Sequence, residues 1–181
     1  LILVGKKVWI YFWNKRKYIK KGIQILEKIC VIWIILNIFY INYFESYVIF
    51  FNIGQGNMAL VHSNTKNIII DMGSTEKNVA YNVMKNYLKA KNIRNIDIIC
   101  ITHMHTDHMN GVEALIKDED INVFRVAFSY PCKEVEEYDN LLNTINKYKV
   151  AKLYLNEKDR IKIGNISIDI LTPPKNYYIN D

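Results

Sequence analysis

Proline and glycine are scarce, three and seven in 181 residues, and half of the residues are apolar. That composition excludes a disordered, low-complexity or collagen-like chain. Cysteine is too sparse for a scaffold. Cys30, Cys100 and Cys132 are odd in number, far apart and form no C-x-x-C pair, so neither a disulfide framework nor a cysteine zinc knuckle is indicated. Cys30 in an apolar run and Cys100 in an expected strand read as small buried hydrophobes. No internal repeat is visible, which excludes a solenoid or propeller. An initiator methionine is also lacking. The chain opens on Leu1, and its last residues follow a proline-containing loop, so a piece of a longer protein is expected. The length suffices for one globular domain plus a short appendage.

Acidic residues are nearly missing from the first 28 positions, which hold eight basic residues and only Glu27 against them, a net of +7. The whole chain carries +6, which leaves −1 for the other 153 residues. The globular part therefore has no electrostatic footprint for tight, non-specific nucleic-acid binding. Residues 29–44, ICVIWIILNIFYINYF, hold no charge. With Ile25 and Leu26 the run approaches the ~20 mostly apolar residues that cross a bilayer, with Lys28 snorkelling and Phe39, Tyr40, Tyr43 and Phe44 as an aromatic belt. A buried or interfacial helix is the alternative. A signal peptide fits less well, because no small-residue cleavage site follows. The expected organisation is an earlier apolar segment and a basic cytoplasmic loop over 1–24, NKRKYIKKG forming the loop at 14–22, a transmembrane helix over 25–45, and a globular domain over 46–181. The positive-inside rule then places that domain on the extracytoplasmic side of the cell membrane.

From Ser46 the apolar pattern shortens to strand length. Tyr47–Ile53, Met58–Ser63 and Ile68–Asp71, joined by Gly54-Gln55-Gly56 and by residues 64–67, predict a β-meander. Helical spacing follows over Glu76–Lys91, and Ile96–Thr102 reads as a buried strand. A short helix over Asn110–Lys117, a strand over Val123–Phe128 and a helix over Val135–Tyr148 come next. Val150–Leu155, Ile161–Ile163 and Ile166–Leu171 complete the strands. Hairpins mixed with helical crossovers predict an α/β sandwich rather than a single wound sheet.

Three of the four histidines fall in HMHTDH, residues 103–108, directly after a buried-type strand. Histidines two apart in extended backbone point to one side, so His103 and His105 would grip one ion, while Asp107 and His108 would supply a second. Imidazole and carboxylate are ligands for zinc, iron or manganese, and two ions roughly 3.5–4 Å apart can stabilise both the attacking and the leaving oxygen of a displacement. Elsewhere, His62 reads as an ordinary strand residue, Asp97 as a strand-start cap and Glu113 as a surface residue. Glu134, Glu136, Glu137 and Asp139 read as helix-start acids, and Thr102 and Thr106 as hydrogen-bonding neighbours of the ligands.

HMHTDH resembles the H-x-H-x-D-H motif of the metallo-β-lactamase superfamily. Asp71 in IIIDMGS resembles the carboxylate that ends an earlier strand there and supports the metal loop. FFNIGQGNMALV, residues 50–61, is similar to the opening of the hydrolase domain in ComEC-type DNA-uptake (competence) channel proteins, where the domain follows the last membrane span. The resemblance runs from about Ile29 to the C-terminus and includes Leu171-Thr172-Pro173-Pro174. It implies the N-terminal half or more of an αββα sandwich preceded by a transmembrane helix. It also implies two divalent ions, zinc with manganese as the alternative, held by His103, His105, Asp107 and His108, with Asp107 and Asp71 as catalytic carboxylates. The implied substrate is the phosphodiester of single- or double-stranded DNA during uptake, and the implied partners are the membrane and other competence proteins.

The chain departs from that pattern in three places. Asn52 and Asn57 stand where Asp is usual, which puts any metal or substrate role of the opening hairpin in doubt. Asn110 stands where Gly is frequent and is expected to act as a helix N-cap. No histidine follows His108, although the family uses a later bridging Asp and later His ligands, so this piece alone is expected to lack a complete site. Two other functions stay open: a hydrolase of a small ester, thioester, lactone or phosphoester, and a truncated appendage without activity.

Overall fold

A computed structural model describes residues 2–129 and 136–172. The chain divides into two units, Leu1–Phe44 and Glu45–Asp181.

The first unit is one helix, α1 (Ile2–Phe44), and this corrects the expected loop at 14–22. The basic stretch continues the helix because it holds no proline and is built from lysine and arginine, which are good helix formers. Gly22 alone costs about 1 kcal/mol. Over Lys15–Tyr40 the helix is long and apolar enough to cross a membrane, overlapping the expected span at 25–45. Ile25, Leu26, Val31, Ile34 and Ile35 are exposed and lie around the helix circumference, so the helix is apolar on all sides rather than amphipathic. The Asn37 amide donates to the Trp33 carbonyl one turn back, at 2.8 Å.

The second unit begins with the expected meander: β1 (Ser46–Phe50), β2 (Gly56–Ser63) and β3 (Lys66–Ser74), all antiparallel. Next come α2 (Val79–Ala90), β4 (Asn95–Ile96), β5 (Ile98–Ile101), the single turn α3 (Thr106–Met109), α4 (Val112–Ile116), β6 (Asn122–Val123) and β7 (Arg125–Ser129). The described chain ends with α5 (Glu136–Lys147), β8 (Ala151–Leu155), β9 (Arg160–Ile163) and β10 (Ile166–Asp169). The main sheet runs β1-β2-β3-β5-β7-β8, parallel from β3 onward, beside two-stranded β4-β6 and β9-β10 pairs.

The unbroken apolar runs of β3 and β5 follow from burial on both faces. Ile69 and Ile99 face a core shared with Met84 and Leu88 of α2, Leu115 of α4 and Leu141 of α5. Their neighbours Ile68 and Ile98 face the opposite way, against Ile161 and Ile163 of the β9–β10 hairpin. Each such isoleucine contributes roughly 1.5–3 kcal/mol through burial. The layers are thus helices, a six-stranded sheet and a hairpin that opens a second β layer, as an αββα sandwich requires of its N-terminal part. Asp97 does cap a strand start. It is buried, accepts from the Asn67 amide at 2.9 Å and pairs with Lys66 at 2.9 Å.

Cys100 is half-buried in β5; burial, then the charge of Asp71, pushes its thiol up to about 12. Cys30 is exposed on α1 rather than buried. Cys132, Glu134, Val135 and the Pro173-Pro174 loop lie outside the described residues.

Candidate metal centre

The C-terminal ends of β3 and β5 lie side by side and carry the residues that the motif singles out. In β3, Ile70 pairs with Ala59 and Met72 with Met58, so Asp71 has no partner on β2. It is the extra residue of a β-bulge. Its φ of 53° is left-handed, a conformation that Asp and Asn tolerate better than most side chains. The bulge aims the Asp71 carboxylate, 4% exposed, at the start of the loop after β5.

There the carboxylate takes three donors. Oδ1 accepts from the Thr102 amide at 2.8 Å. The Thr102 hydroxyl lies 3.0 Å from Oδ1 and 2.8 Å from Oδ2. His108 Nδ1 lies 2.7 Å from Oδ2.

Counting protons assigns both imidazole tautomers. A carboxylate only accepts, so the neutral His108 ring carries its proton on Nδ1 and its lone pair on Nε2. Thr102 has one hydroxyl proton and donates it to Asp71. Its Oγ1 therefore accepts from His103 Nδ1, 3.1 Å away, which leaves the His103 lone pair on Nε2 as well. Asp71 thus orients two histidines, one directly and one through Thr102, and its own acceptor capacity is spent doing so. That makes it a positioning residue. The expected hydrogen-bonding role of Thr102 is present; Thr106 instead opens α3 and is exposed.

The loop then turns into α3. His105 stands at its N-cap with extended backbone, φ −79° and ψ 147°. The His103 ring lies 4.7 Å from that of His105 and 3.8 Å from that of His108, centroid to centroid. His103 is therefore between the other two, and closer to His108 than to the residue expected to share its ion. Asp107 Oδ2 is 3.8 Å from His108 Nε2. Burial, followed by the neighbouring His108 and His105, holds His103 below the usual histidine range, which favours the neutral, metal-ligating form.

Two glycines admit α3 to this place. A Cβ on Gly73 would come within 2.4 Å of the His108 amide nitrogen and 2.5 Å of the Asp107 carbonyl carbon. A Cβ on Gly56, the second glycine of the GQG turn, would meet the Gly73 oxygen at 2.1 Å. The helical turn therefore rests directly on the backbone of the β2–β3 end.

Asn110 does not cap α4. Gly111 occupies that position, and the Asn110 amide clamps Ser74 instead, accepting from its N–H at 3.1 Å and donating to its carbonyl. Asn57, left in doubt by the sequence, reaches the site, with Nδ2 3.2 Å from His108 Nε2. Asn52 only accepts from the Gly54 amide, at 3.4 Å. His62 hydrogen-bonds Asn67 at 2.8 Å and stacks on Tyr47. Glu113 binds Lys117 and, at 3.1 Å, Thr144. Neither belongs to the site.

The donor chemistry fits a divalent ion: three imidazoles and a carboxylate within six residues, two of the rings with tautomers that bare Nε2. Among the described residues, no three His, Cys, Asp or Glu side chains converge to hold an ion in this conformation.

The sequence profile of the metallo-β-lactamase superfamily matches residues 52–142, half of the chain, from just before the GQG turn into α5. Over 75 residues the chain is 31% identical to an alkyl/aryl-sulfatase of Saccharomyces cerevisiae, covering 41% of this chain and 12% of that protein. It thus spans about an eighth of that relative's length. Among solved structures, a metallo-β-lactamase-fold protein of Bacillus subtilis is 13% identical, with 65% of this chain and 45% of that one covered and a TM-score of 0.45. Human tRNase Z, short form, is 19% identical, with 59% and 43% covered and a TM-score of 0.36.

Proposed function

Because the chain belongs to the metallo-β-lactamase superfamily, we propose that it is a membrane-anchored, metal-dependent hydrolase whose divalent ions, zinc rather than manganese, are held by His103, His105, Asp107 and His108. The observation that carries this reading is the hydrogen-bond chain from Asp71 through Thr102 and His108, which leaves the His103 and His108 Nε2 lone pairs on the side away from Asp71. Buried carboxylates behind histidines of this kind raise ligand basicity and fix ring orientation. When bound, such an ion supplies Lewis acidity toward a phosphoryl or carbonyl oxygen. Asp71 and Thr102 hold the rings, Gly73 and Gly56 admit the turn that carries Asp107 and His108, and the neutral state of His103 keeps its lone pair free.

The finer reading is that of a ComEC-type competence protein acting on phosphodiester bonds of DNA at the outer face of the membrane. It is supported by the order of an apolar helix, Lys15–Tyr40, followed by the GQG hairpin. The basic residues of α1 support a cytoplasmic start by the positive-inside rule. The near-neutral remainder implies that a channel or a partner, other competence proteins among them, delivers the DNA. The identity with an alkyl/aryl-sulfatase favours a second reading, hydrolysis of a small ester.

Metal analysis of the full chain, purified in detergent without chelator, tests the common premise. At least one zinc ion per chain, lost in the paired substitution His103→Ala and His105→Ala, is expected; less than one ion with no dependence on these residues refutes it. Hydrolysis of a DNA phosphodiester against an aryl sulfate or thioester then separates the two readings.

A further inference from the structure

We propose that Asn57 holds the lone pair of His108 in the metal-free protein and competes with a metal ion for it, so that a neutral amide on β2 limits the affinity of the site. The inference rests on the reading of residues 103–108 as a metal centre.

Donor and acceptor counting fixes the direction of the contact. In the neutral imidazole, the form that ligates a metal, His108 Nδ1 donates to Asp71 at 2.7 Å and Nε2 is the acceptor. The Asn57 atom facing it at 3.2 Å is Nδ2, an amide donor. Rotating that amide would set its carbonyl oxygen against the same lone pair, acceptor against acceptor, which the metal-free site disfavours. The pairing is local to the fold as well. Asn57 lies across from Gly73 in the β2–β3 register, and the missing side chain of Gly73 is what brings His108 within reach. His108 is 8% exposed whereas Asn57 is exposed, so the Asn57 amide is the group that covers Nε2 at the surface.

A cation seeking Nε2 needs the same lone pair and meets the hydrogens of the Asn57 amide, which carry positive charge. Binding therefore exchanges a hydrogen bond for a coordinate bond, and the lost hydrogen bond is subtracted from the affinity. Removing the amide removes the competitor. A carboxylate at position 57 would remove it and also add a negative charge beside the cation.

The test is zinc titration of the full chain, stripped of metal and kept in detergent, in competition with a chromophoric chelator. Asn57→Ala should bind zinc about 3- to 10-fold more tightly than the unsubstituted chain, and Asn57→Asp more tightly than Asn57→Ala. Unchanged or weaker binding by Asn57→Ala overturns the proposal, since the amide is then inert or itself a ligand. Nitrogen NMR of the metal-free protein gives a second reading that folding losses do not mimic. The His108 Nε2 resonance should move toward that of an unbonded imidazole in Asn57→Ala with the other histidines in place, and an unmoved resonance also overturns the proposal. If the unsubstituted chain takes up no zinc, the metal-centre reading falls and the proposal with it. Zinc uptake that Asn57→Ala does not strengthen removes the proposal alone.

Discussion

Replacing the Asp71 carboxylate by an amide isolates its electrostatic role from its backbone role. Asn tolerates left-handed φ as well as Asp does, so Asp71→Asn keeps the bulge at φ 53° without added strain. The side chain, however, falls from two acceptor oxygens to one. If that oxygen keeps the Thr102 amide, the new NH2 group faces His108 Nδ1 and the Thr102 hydroxyl, both donors to the carboxylate in the native site. His108 must then move its proton to Nε2, which turns the bare lone pair into an N–H that faces the Asn57 donor. At least two hydrogen bonds to a charged group are lost, each worth about 1.5–3 kcal/mol. After partial replacement by the amide, a net loss of roughly 2–4 kcal/mol is expected. Zinc affinity should drop about 10- to 100-fold, because the ligand lone pair now requires a tautomer shift. Thermal unfolding, chelator-competition titration and histidine nitrogen NMR read these three effects in one preparation. A His108 that keeps its proton on Nδ1 in Asp71→Asn, with zinc affinity unchanged, refutes the assignment of Asp71 as the tautomer-setting group.

Gly73→Ala places a Cβ within 2.5 Å of three backbone atoms of α3 and should lower stability by about 1–3 kcal/mol through overpacking. The displaced turn should weaken zinc binding, whereas Gly22→Ala, which meets nothing within 4 Å, should leave zinc binding unchanged and favour α1 by up to about 1 kcal/mol. The depressed pKa of His103 makes the unfolded chain the better proton binder between the folded value and the ordinary histidine value. Its contribution to the metal-free protein is therefore complete above about pH 6.5 and is lost as pH falls toward the folded value. His103→Gln should flatten the pH dependence of the unfolding temperature between pH 7.5 and 5; a profile as steep as that of the unsubstituted chain counts against a neutral His103.

The regular parts of the fold were legible because their apolar residues obey a single period. The meander, α2 and the parallel strands follow the burial pattern that Ile68–Ile70 and Ile98–Ile101 announce, with bounds shifted by a few residues. The clustering of three imidazoles and an Asp within six residues was visible without tertiary information. Two of the misread positions, Asn110 and Asn57, are decided by a partner distant in sequence. Asn110 looks like a cap in one dimension, yet Ser74, 36 residues away, captures its amide. Asn57 looked like a lost charge, yet the close approach of α3 delivers His108 to it from 51 positions away. The basic stretch 14–22 looked like a loop because charge interrupts two apolar runs, but charge does not break a helix, and α1 continues through it.

The segment Asp71-Met72-Gly73-Ser74 accounts for why Asp71 could be identified only by resemblance. Strand alternation would send Ile69 to the helix side, Ile70 to the hairpin side, residue 71 back to the helix side and residue 72 to the hairpin side. Met72 is instead buried on the helix side with Ile69 and opposite Met58. The bulge has inverted the parity of the strand, and Asp71 is the residue spent on the inversion. Three consequences then arise from one inserted residue. Met72 returns to the core, Asp71 leaves the alternation with its carboxylate aimed along the sheet end, and Gly73 arrives under α3, where no side chain fits. Ser74 closes the arrangement, its hydroxyl donating to the Ile53 carbonyl at 2.8 Å and its amide held by Asn110. A regular strand in the same place could bury Met72 or present Asp71, but not both. The break in alternation at IIIDM is thus the local cost of building a histidine-orienting carboxylate into a strand that is buried on both faces.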